Sequence, residues 1–406
     1  MKINKINFLL ENNINKNYFK NNLYLKDKIK LKKIISDIYN NLDNRKDTFH
    51  SLSKKFNLDF NKSKLKKFLK YKSIVIIGMG GSIMGANAIY SFFKQKIKKD
   101  FIFLDNLDQQ KIEHLKKKIK LQRSLFIIIS KSGSTIETLV NSNLIKNEIS
   151  SKNTIIITEE KNNPLNTFAK KKNILQINQK NYIGGRYSVL SEVGMVPSFF
   201  MGLKIENFRS KILSSFKLKK NLILMESVIK LAHIYNLKKI KSLILLNYAP
   251  QLNEFLFWCQ QLIAESLGKN SKGILPVVSS APRDHHSLLQ LYLDGPKDKL
   301  FYIFSLNLKK KIKTKSNTFG KSFKYAENKE LSKIISSQKK ALMMVLKKKK
   351  IPFREFKVDK VNEETLGELF SYFILETSLI GKMIGINPFD QPAVEEVKIL
   401  TKEYLN

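Results

Sequence analysis

The sequence predicts an α/β protein of two doubly wound parallel sheets, preceded by a helical N-terminal arm and closed by C-terminal helices. Three observations carry this. Short apolar runs alternate with helical stretches, and the alternation occurs twice along the chain. The apolar runs lack polar alternation, as strands covered on both faces of a parallel sheet do. Two turns that follow strands in the first half are rich in Gly, Ser and Thr, and doubly wound sheets hold their ligands at such strand ends. A length of 406 residues suits two domains of ordinary size, and 43% hydrophobic with 10% aromatic residues can bury their cores.

Residues 1–70 are rich in Lys and Asn, with Leu, Ile and Phe at helical spacing, and are expected to form a helical arm. Strands at Ser73–Ile77, Phe101–Leu104, Leu125–Ile129 and Thr154–Ile157 would build a first domain over 71–205. The polar, Lys-rich segment Met201–Asn221 marks a boundary. Strands at Ser242–Leu246, Leu275–Val278, Leu300–Phe304 and Phe353–Val358 would repeat the pattern in a second domain over 206–386. Helices at Glu363–Ile384 and Gln391–Leu405 close the chain, the second within a segment spanning 387–406.

The charge excludes less than its size suggests. The chain carries 74 Lys and Arg against 34 Asp and Glu, a formal +40, which invites a nucleic-acid function. Only six of the 74 are Arg: Arg45, Arg123, Arg186, Arg209, Arg283 and Arg354. Phosphate and base readers lean on the planar guanidinium as well as on Lys. The lysines are spread along the whole chain without an aromatic-interleaved stripe, so solvated Lys faces are expected and no nucleic-acid partner. Ser73–Phe93 lacks charge and is long enough to span a bilayer, yet Gly78, Gly80, Gly81, Gly85, Ser82 and Asn87 suit a strand, a turn and a buried helix better. No membrane association is expected. The single Cys259 excludes an internal disulfide framework and a Cys-cluster metal site, and reads as a buried core thiol. With no targeting signal at the N-terminus, the expected setting is cytoplasmic.

The first glycine-rich turn, Gly78-Met79-Gly80-Gly81-Ser82, lets the backbone approach an anion closely but fits neither the dinucleotide nor the P-loop pattern. The second, Ser130-Lys131-Ser132-Gly133-Ser134-Thr135, follows a strand and opens a helix, with Ser134 and Glu137 at capping-box spacing. Free helix N–H groups among hydroxyls suit a monophosphate, which needs many donors and no metal.

Ser130–Thr138 resembles the phosphate loop of sugar-isomerase (SIS) domains. Further segments resemble the glucose-6-phosphate isomerase family: Gly78–Ser82, Gly184-Gly185-Arg186-Tyr187-Ser188, Ala264-Glu265-Ser266-Leu267-Gly268-Lys269, Asp284-His285-His286-Ser287, and Asn387-Pro388-Phe389-Asp390-Gln391 leading to Lys398. They recur in the family's order from residue 78 to 398 and are specific as a set. The resemblance implies two SIS domains and interconversion of glucose 6-phosphate and fructose 6-phosphate without metal or cofactor. It also implies a homodimer whose active sites are shared between subunits. By position, Glu265 falls on the proton-transfer base, Arg186 on the residue that stabilises the intermediate, His286 on the ring-opening histidine supplied by the neighbouring subunit, and Lys398 on the lysine assisting at the ring oxygen. Ser82, Ser130, Lys131, Ser132 and Thr135 fall on the phosphate site, and Gln261 and Gln391 on substrate-contacting glutamines. A dual phosphoglucose/phosphomannose isomerase, or another SIS-domain isomerase, is the alternative. Ile83-Met84, Leu267 and Pro392-Ala393 depart from the commoner family residues, all outside the proposed proton-transfer set.

The chemistry asks for the same residue types. Aldose–ketose isomerisation moves a proton between C2 and C1, and one carboxylate can serve both carbons. Glu265 sits near the end of an otherwise apolar helix, with Gln261 one turn earlier on the same face and Gly268 as a stop. An enediolate carries negative charge on oxygen, so a fixed cation such as Arg186 lowers the barrier. Ring opening needs an acid and a base near neutral pH, which His supplies. Of the five His, His50, His114 and His233 lie in polar helical contexts and read as surface residues. Either ring of the pair His285-His286 could be oriented by Asp284, and family position favours His286.

Overall fold

The computed structural model describes residues 8–14, 18, 21–118, 123–307, 312–316 and 319–406. Among the described residues, ten strands form two sheets. They are β1 (Leu9–Asn13), β2 (Ser73–Ile77), β3 (Asp100–Leu104), β4 (Ser124–Ile129), β5 (Thr154–Thr158), β6 (Leu175–Asn178), β7 (Ser242–Asn247), β8 (Leu275–Ser280), β9 (Lys299–Leu306) and β10 (Phe353–Val358). The first sheet has the order β3-β2-β4-β5-β6, with every pair parallel. Its central strands are continuous apolar runs: Ile74–Ile77, Leu125–Ile129 and Ile155–Ile157 are fully buried, which two covered faces require.

The second sheet runs β8-β7-β9-β10-β1, and its strands β7 to β10 are parallel. Between the sheets, the helix Asn253–Leu267 packs on the helix Met84–Phe93. The helix Glu363–Met383, buried on nearly every face, backs the second half. Cys259 is buried in that interior, and burial pushes its thiol well above the ordinary value, as suits an inert core residue.

The eight expected strands all form. Two more were not foreseen. β6 is a short, mixed sequence, Leu-Gln-Ile-Asn, whose pattern gives little signal. β1 corrects the expectation of a purely helical arm. The helix Asn21–Asn40 is there, but Leu9–Asn13 pairs antiparallel with β10 instead of continuing the helical pattern. An open sheet edge offers a row of unpaired N–H and C=O groups, and this outweighs local helical spacing. Phe8 anchors the strand: it is fully buried and meets Tyr372 edge to face at 5.2 Å between ring centroids.

His50 is a second correction. It was expected at the surface but is buried, with Nδ1 2.8 Å from the Tyr182 hydroxyl, because the arm folds back over the first half.

Candidate active site

The site is assembled by the Gly78–Ser82 turn at the end of β2. On one side of it lies the end of β4, where a Cβ at Gly78 would fall 3.0 Å from the Ile129 carbonyl oxygen. On another, a Cβ at Gly81 would fall 2.2 Å from the Gly185 carbonyl carbon and 2.4 Å from the Arg186 nitrogen. No side chain fits there, so glycine lets the turn and the Gly184–Arg186 segment touch backbone to backbone. Gly80, at φ +51°, faces the Gln261 amide, which a Cβ would approach to 2.8 Å. One turn therefore joins the hydroxyl loop of the first sheet to Arg186 and to the helix Asn253–Leu267.

On that helix, Gln261 Nε2 donates to Glu265 Oε1 at 2.9 Å across one helical turn. Arg186 Nη1 donates to Glu265 Oε2 at 3.1 Å. The guanidinium is buried, while the Glu265 side chain keeps 31% of its surface exposed. The carboxylate is thus held from behind and open in front. All five Arg186 donors are engaged: Nε with Ser266 Oγ (2.9 Å), Nη1 also with Gln391 Oε1 (2.5 Å), and Nη2 with the Pro388 and Asp390 carbonyls (2.7 and 3.0 Å). A guanidinium so tied down offers a fixed positive charge in a poorly solvated place, and that is the property an enediolate needs.

Three residues without an assigned role hold this constellation. The Tyr187 hydroxyl bonds Ser266 Oγ and the Pro388 carbonyl, both at 2.7 Å, and burial pushes its phenol above the ordinary value. Lys269 reaches the Asn387 carbonyl and Asp390 Oδ1, pinning the Asn387–Gln391 loop to the end of the Glu265 helix. The Lys269 ammonium holds the Asp390 carboxyl below its ordinary value of 3.8. All lie inside the Gly184–Ser188, Ala264–Lys269 and Asn387–Gln391 motifs, but spacing alone does not say which side chains tie one motif to another.

In the hydroxyl loop, Ser130 Oγ lies 3.0 Å from Thr135 Oγ1, and Ser132 Oγ lies 3.4 Å from the same atom. The helix Ile136–Leu144 starts here with Thr135 at its N-cap, one residue later than the capping-box spacing suggested. The Thr135 side chain makes no cap bond, so it does not satisfy the first-turn N–H groups. Gly133, at φ +67°, packs against Asn163, where a Cβ would fall 1.9 Å from Oδ1. Ser82 is buried in the glycine turn.

His286 and Lys398 stand apart. His286 is exposed on the turn Arg283–His286 after β8. Its neighbour His285 is tied through Nε2 to the Tyr248 hydroxyl at 2.7 Å, and burial holds its ring below the ordinary value of 6.5. Asp284 orients neither ring; its oxygens accept from Ser279 Oγ, the Ser280 N–H and Arg283 Nε. Lys398, on the exposed helix Glu395–Leu405, pairs with Glu395 at 2.6 Å. Among the described residues, no hydrogen bond or ion pair joins either side chain to Glu265 or Arg186. Among the described residues, no group of three or more His, Cys, Asp or Glu side chains is placed to hold a metal ion, and no helix is long and apolar enough to cross a membrane.

A model of the family described as phosphoglucose isomerase matches residues 30–406. The glucose-6-phosphate isomerase of Methanocaldococcus jannaschii is 34% identical, over 92% of this chain and 93% of that protein. The glucose-6-phosphate isomerase of Campylobacter jejuni is 32% identical, over 82% of this chain and 86% of its own length. Two solved structures share the fold. A hypothetical protein from Thermus thermophilus superposes with a TM-score of 0.80 at 22% identity, covering 95% of this chain and 98% of that one. A glucose-6-phosphate isomerase from Chlamydia trachomatis gives 0.72 at 20% identity, covering 85% and 71%. The family match over residues 30–406 and the identity to these relatives show it: this chain belongs to the phosphoglucose isomerase family.

Proposed function

We propose that the chain catalyses the reversible isomerisation of D-glucose 6-phosphate and D-fructose 6-phosphate through a cis-enediol(ate), as a step of glycolysis and gluconeogenesis. The observation that carries this reading is the Glu265 carboxylate, clamped by Gln261 and by buried Arg186 beside the turn that leads to the hydroxyl loop. Ser82, Ser130, Lys131, Ser132, Thr135 and the first-turn N–H groups of Ile136–Leu144 bind the phosphate. Glu265 takes the proton from one carbon and returns it to the next. Arg186 stabilises the enediolate oxygen by its charge, and Gln261 and Gln391 orient the substrate and the clamp.

His286 opens the sugar ring from a second copy of the chain, with Lys398 assisting at the ring oxygen. This makes the working enzyme a homodimer with shared sites. The exposure of His286 and of the helix Glu395–Leu405 supports that assignment. The domains are assigned as the arm over 1–70, SIS domains over 71–205 and 206–386, and the segment 387–406 carrying Lys398.

A coupled assay of fructose 6-phosphate conversion tests the role of Glu265. Glu265→Gln is expected to lose about 10²- to 10⁴-fold in turnover while sugar-phosphate binding survives; near wild-type turnover would contradict it. Heterodimers of Glu265→Gln and His286→Ala subunits are expected to regain activity, and none in verified heterodimers would contradict sharing.

A further inference from the structure

We infer that Lys161 and Glu159 form a counter-ion exchange that positions Lys131 and releases it to the substrate phosphate, an inference that rests on the phosphate-loop reading above. Glu159 lies at the carboxyl end of β5, and its side chain is only 10% exposed. Its two carboxylate oxygens face two lysines. Oε1 is 3.5 Å from Lys131 Nζ, and Oε2 is 2.7 Å from Lys161 Nζ. The first contact is slack and the second is a full charge-assisted hydrogen bond.

The backbones around this trio are fixed. The Lys131 carbonyl accepts from the Glu159 N–H at 3.2 Å and from Thr158 Oγ1 at 3.4 Å. The Lys161 carbonyl accepts from Asn163 Nδ2 at 3.2 Å and Asn166 Nδ2 at 2.8 Å, and the Lys161 N–H donates to the Glu159 carbonyl at 2.9 Å. Asn163 is the residue packed against Gly133 in the hydroxyl loop. The turn after β5 thus carries both counter-ions and supports the loop that needs one of them.

The asymmetry decides what each group does. If Lys131 moved to a phosphate and Glu159 had no other partner, a nearly buried carboxylate would be left unpaired, at high cost. Lys161 stays on Oε2 and removes that cost. With Lys161 present, Lys131 is lightly held and its charge is available; without it, Glu159 would claim Lys131 outright. Lys161 is then a positioning residue that acts on phosphate affinity through Glu159, and it does not touch the reacting carbons.

The test measures competitive inhibition by inorganic phosphate, together with KM and kcat for fructose 6-phosphate, in the full-length enzyme. Lys161→Gln is expected to raise the phosphate inhibition constant and KM about fivefold, with kcat within about twofold of wild type. Lys161→Arg keeps the charge and is expected to behave as wild type. The double variant Lys161→Gln with Glu159→Gln frees Lys131 again and is expected to return both constants to within about twofold of wild type. A structural role for Lys161 would not be rescued by a second substitution. The inference is overturned if Lys161→Gln leaves phosphate affinity unchanged, or if the double variant stays as weak as the single one. Lys131→Met separates the two levels. If it weakens phosphate while Lys161→Gln does not, only the exchange is wrong. If it leaves phosphate affinity unchanged, the phosphate-loop reading fails and the exchange with it.

Discussion

Leaving β1 aside and counting from β2 in one half and from β7 in the other, the first four places of each sheet run second, first, third, fourth: β3-β2-β4-β5 and β8-β7-β9-β10. The fifth place is filled differently. The first half supplies its own parallel strand, β6, whereas the second takes β1 from the N-terminus, antiparallel. The interiors differ as well. The centres of β2, β4 and β5 are fully buried runs of Ile, Leu, Val and Phe. β10 instead buries Arg354, which forms a two-pronged pair with Glu376 at 2.9 and 2.7 Å and also reaches Tyr372 and Ser227. The strand ends of the first half carry hydroxyls and backbone donors that suit an anion, and the second half carries the carboxylate on Asn253–Leu267. One scaffold used twice leaves the strand ends free to take up complementary parts of one reaction.

That contrast can be broken in several places. The largest effect is expected from Glu376→Ala, which strands a buried guanidinium and should cost about 3–5 kcal/mol in denaturant unfolding. Its hydrogen-exchange signature should be loss of protection in β7–β10, with β2, β4 and β5 still protected; simultaneous loss in both sheets would show the halves unfold as one unit. Phe8→Ala removes the anchor of β1 and is expected to cost about 3 kcal/mol, again in the second sheet first. An unchanged midpoint would mean the arm adds nothing to that half.

Ser130→Ala addresses the other half and should raise KM for fructose 6-phosphate about tenfold with little change in thermal midpoint. A stability loss without a KM change would make the hydroxyl loop structural. The smallest effect concerns the seam between the halves. Asp390 has its folded-state value depressed below 3.8 by Lys269, so its contribution is present above 3.8 and lost as pH falls through the lower folded value. The thermal midpoint of wild type should therefore exceed that of Asp390→Asn slightly at pH 6, and the gap should close on acidification below 3.8. Because Asp390 is half-exposed, solvent keeps the gap small. A gap that widened in acid would contradict the pairing.

The strands with strong periodic or apolar signals were legible from residues alone: Ile74–Ile77 and Leu125–Ile129 have no polar residue to compete with burial. β1 was not, because its pairing partner lies more than three hundred residues away in sequence and only the folded sheet presents the open edge. Within the site, Gln261 and Glu265 could be placed on one face from their spacing, and the structure adds their hydrogen bond. The engagement of all five Arg186 donors was invisible in the sequence, since they reach Ser266, Glu265, Pro388, Asp390 and Gln391 on two distant segments. His50 shows the converse error: a polar local context hid a ring buried by tertiary contact with Tyr182.

The central claim is that Glu265 moves the proton. The most direct measurement follows uptake of solvent deuterium into the carbon-bound positions of the sugar phosphate in D₂O by NMR, comparing wild type with Glu265→Gln at matched substrate occupancy. The account predicts incorporation with wild type and a loss of about 10²-fold or more with the variant, which should still bind the sugar phosphate. Deuterium uptake by Glu265→Gln at close to the wild-type rate would contradict it.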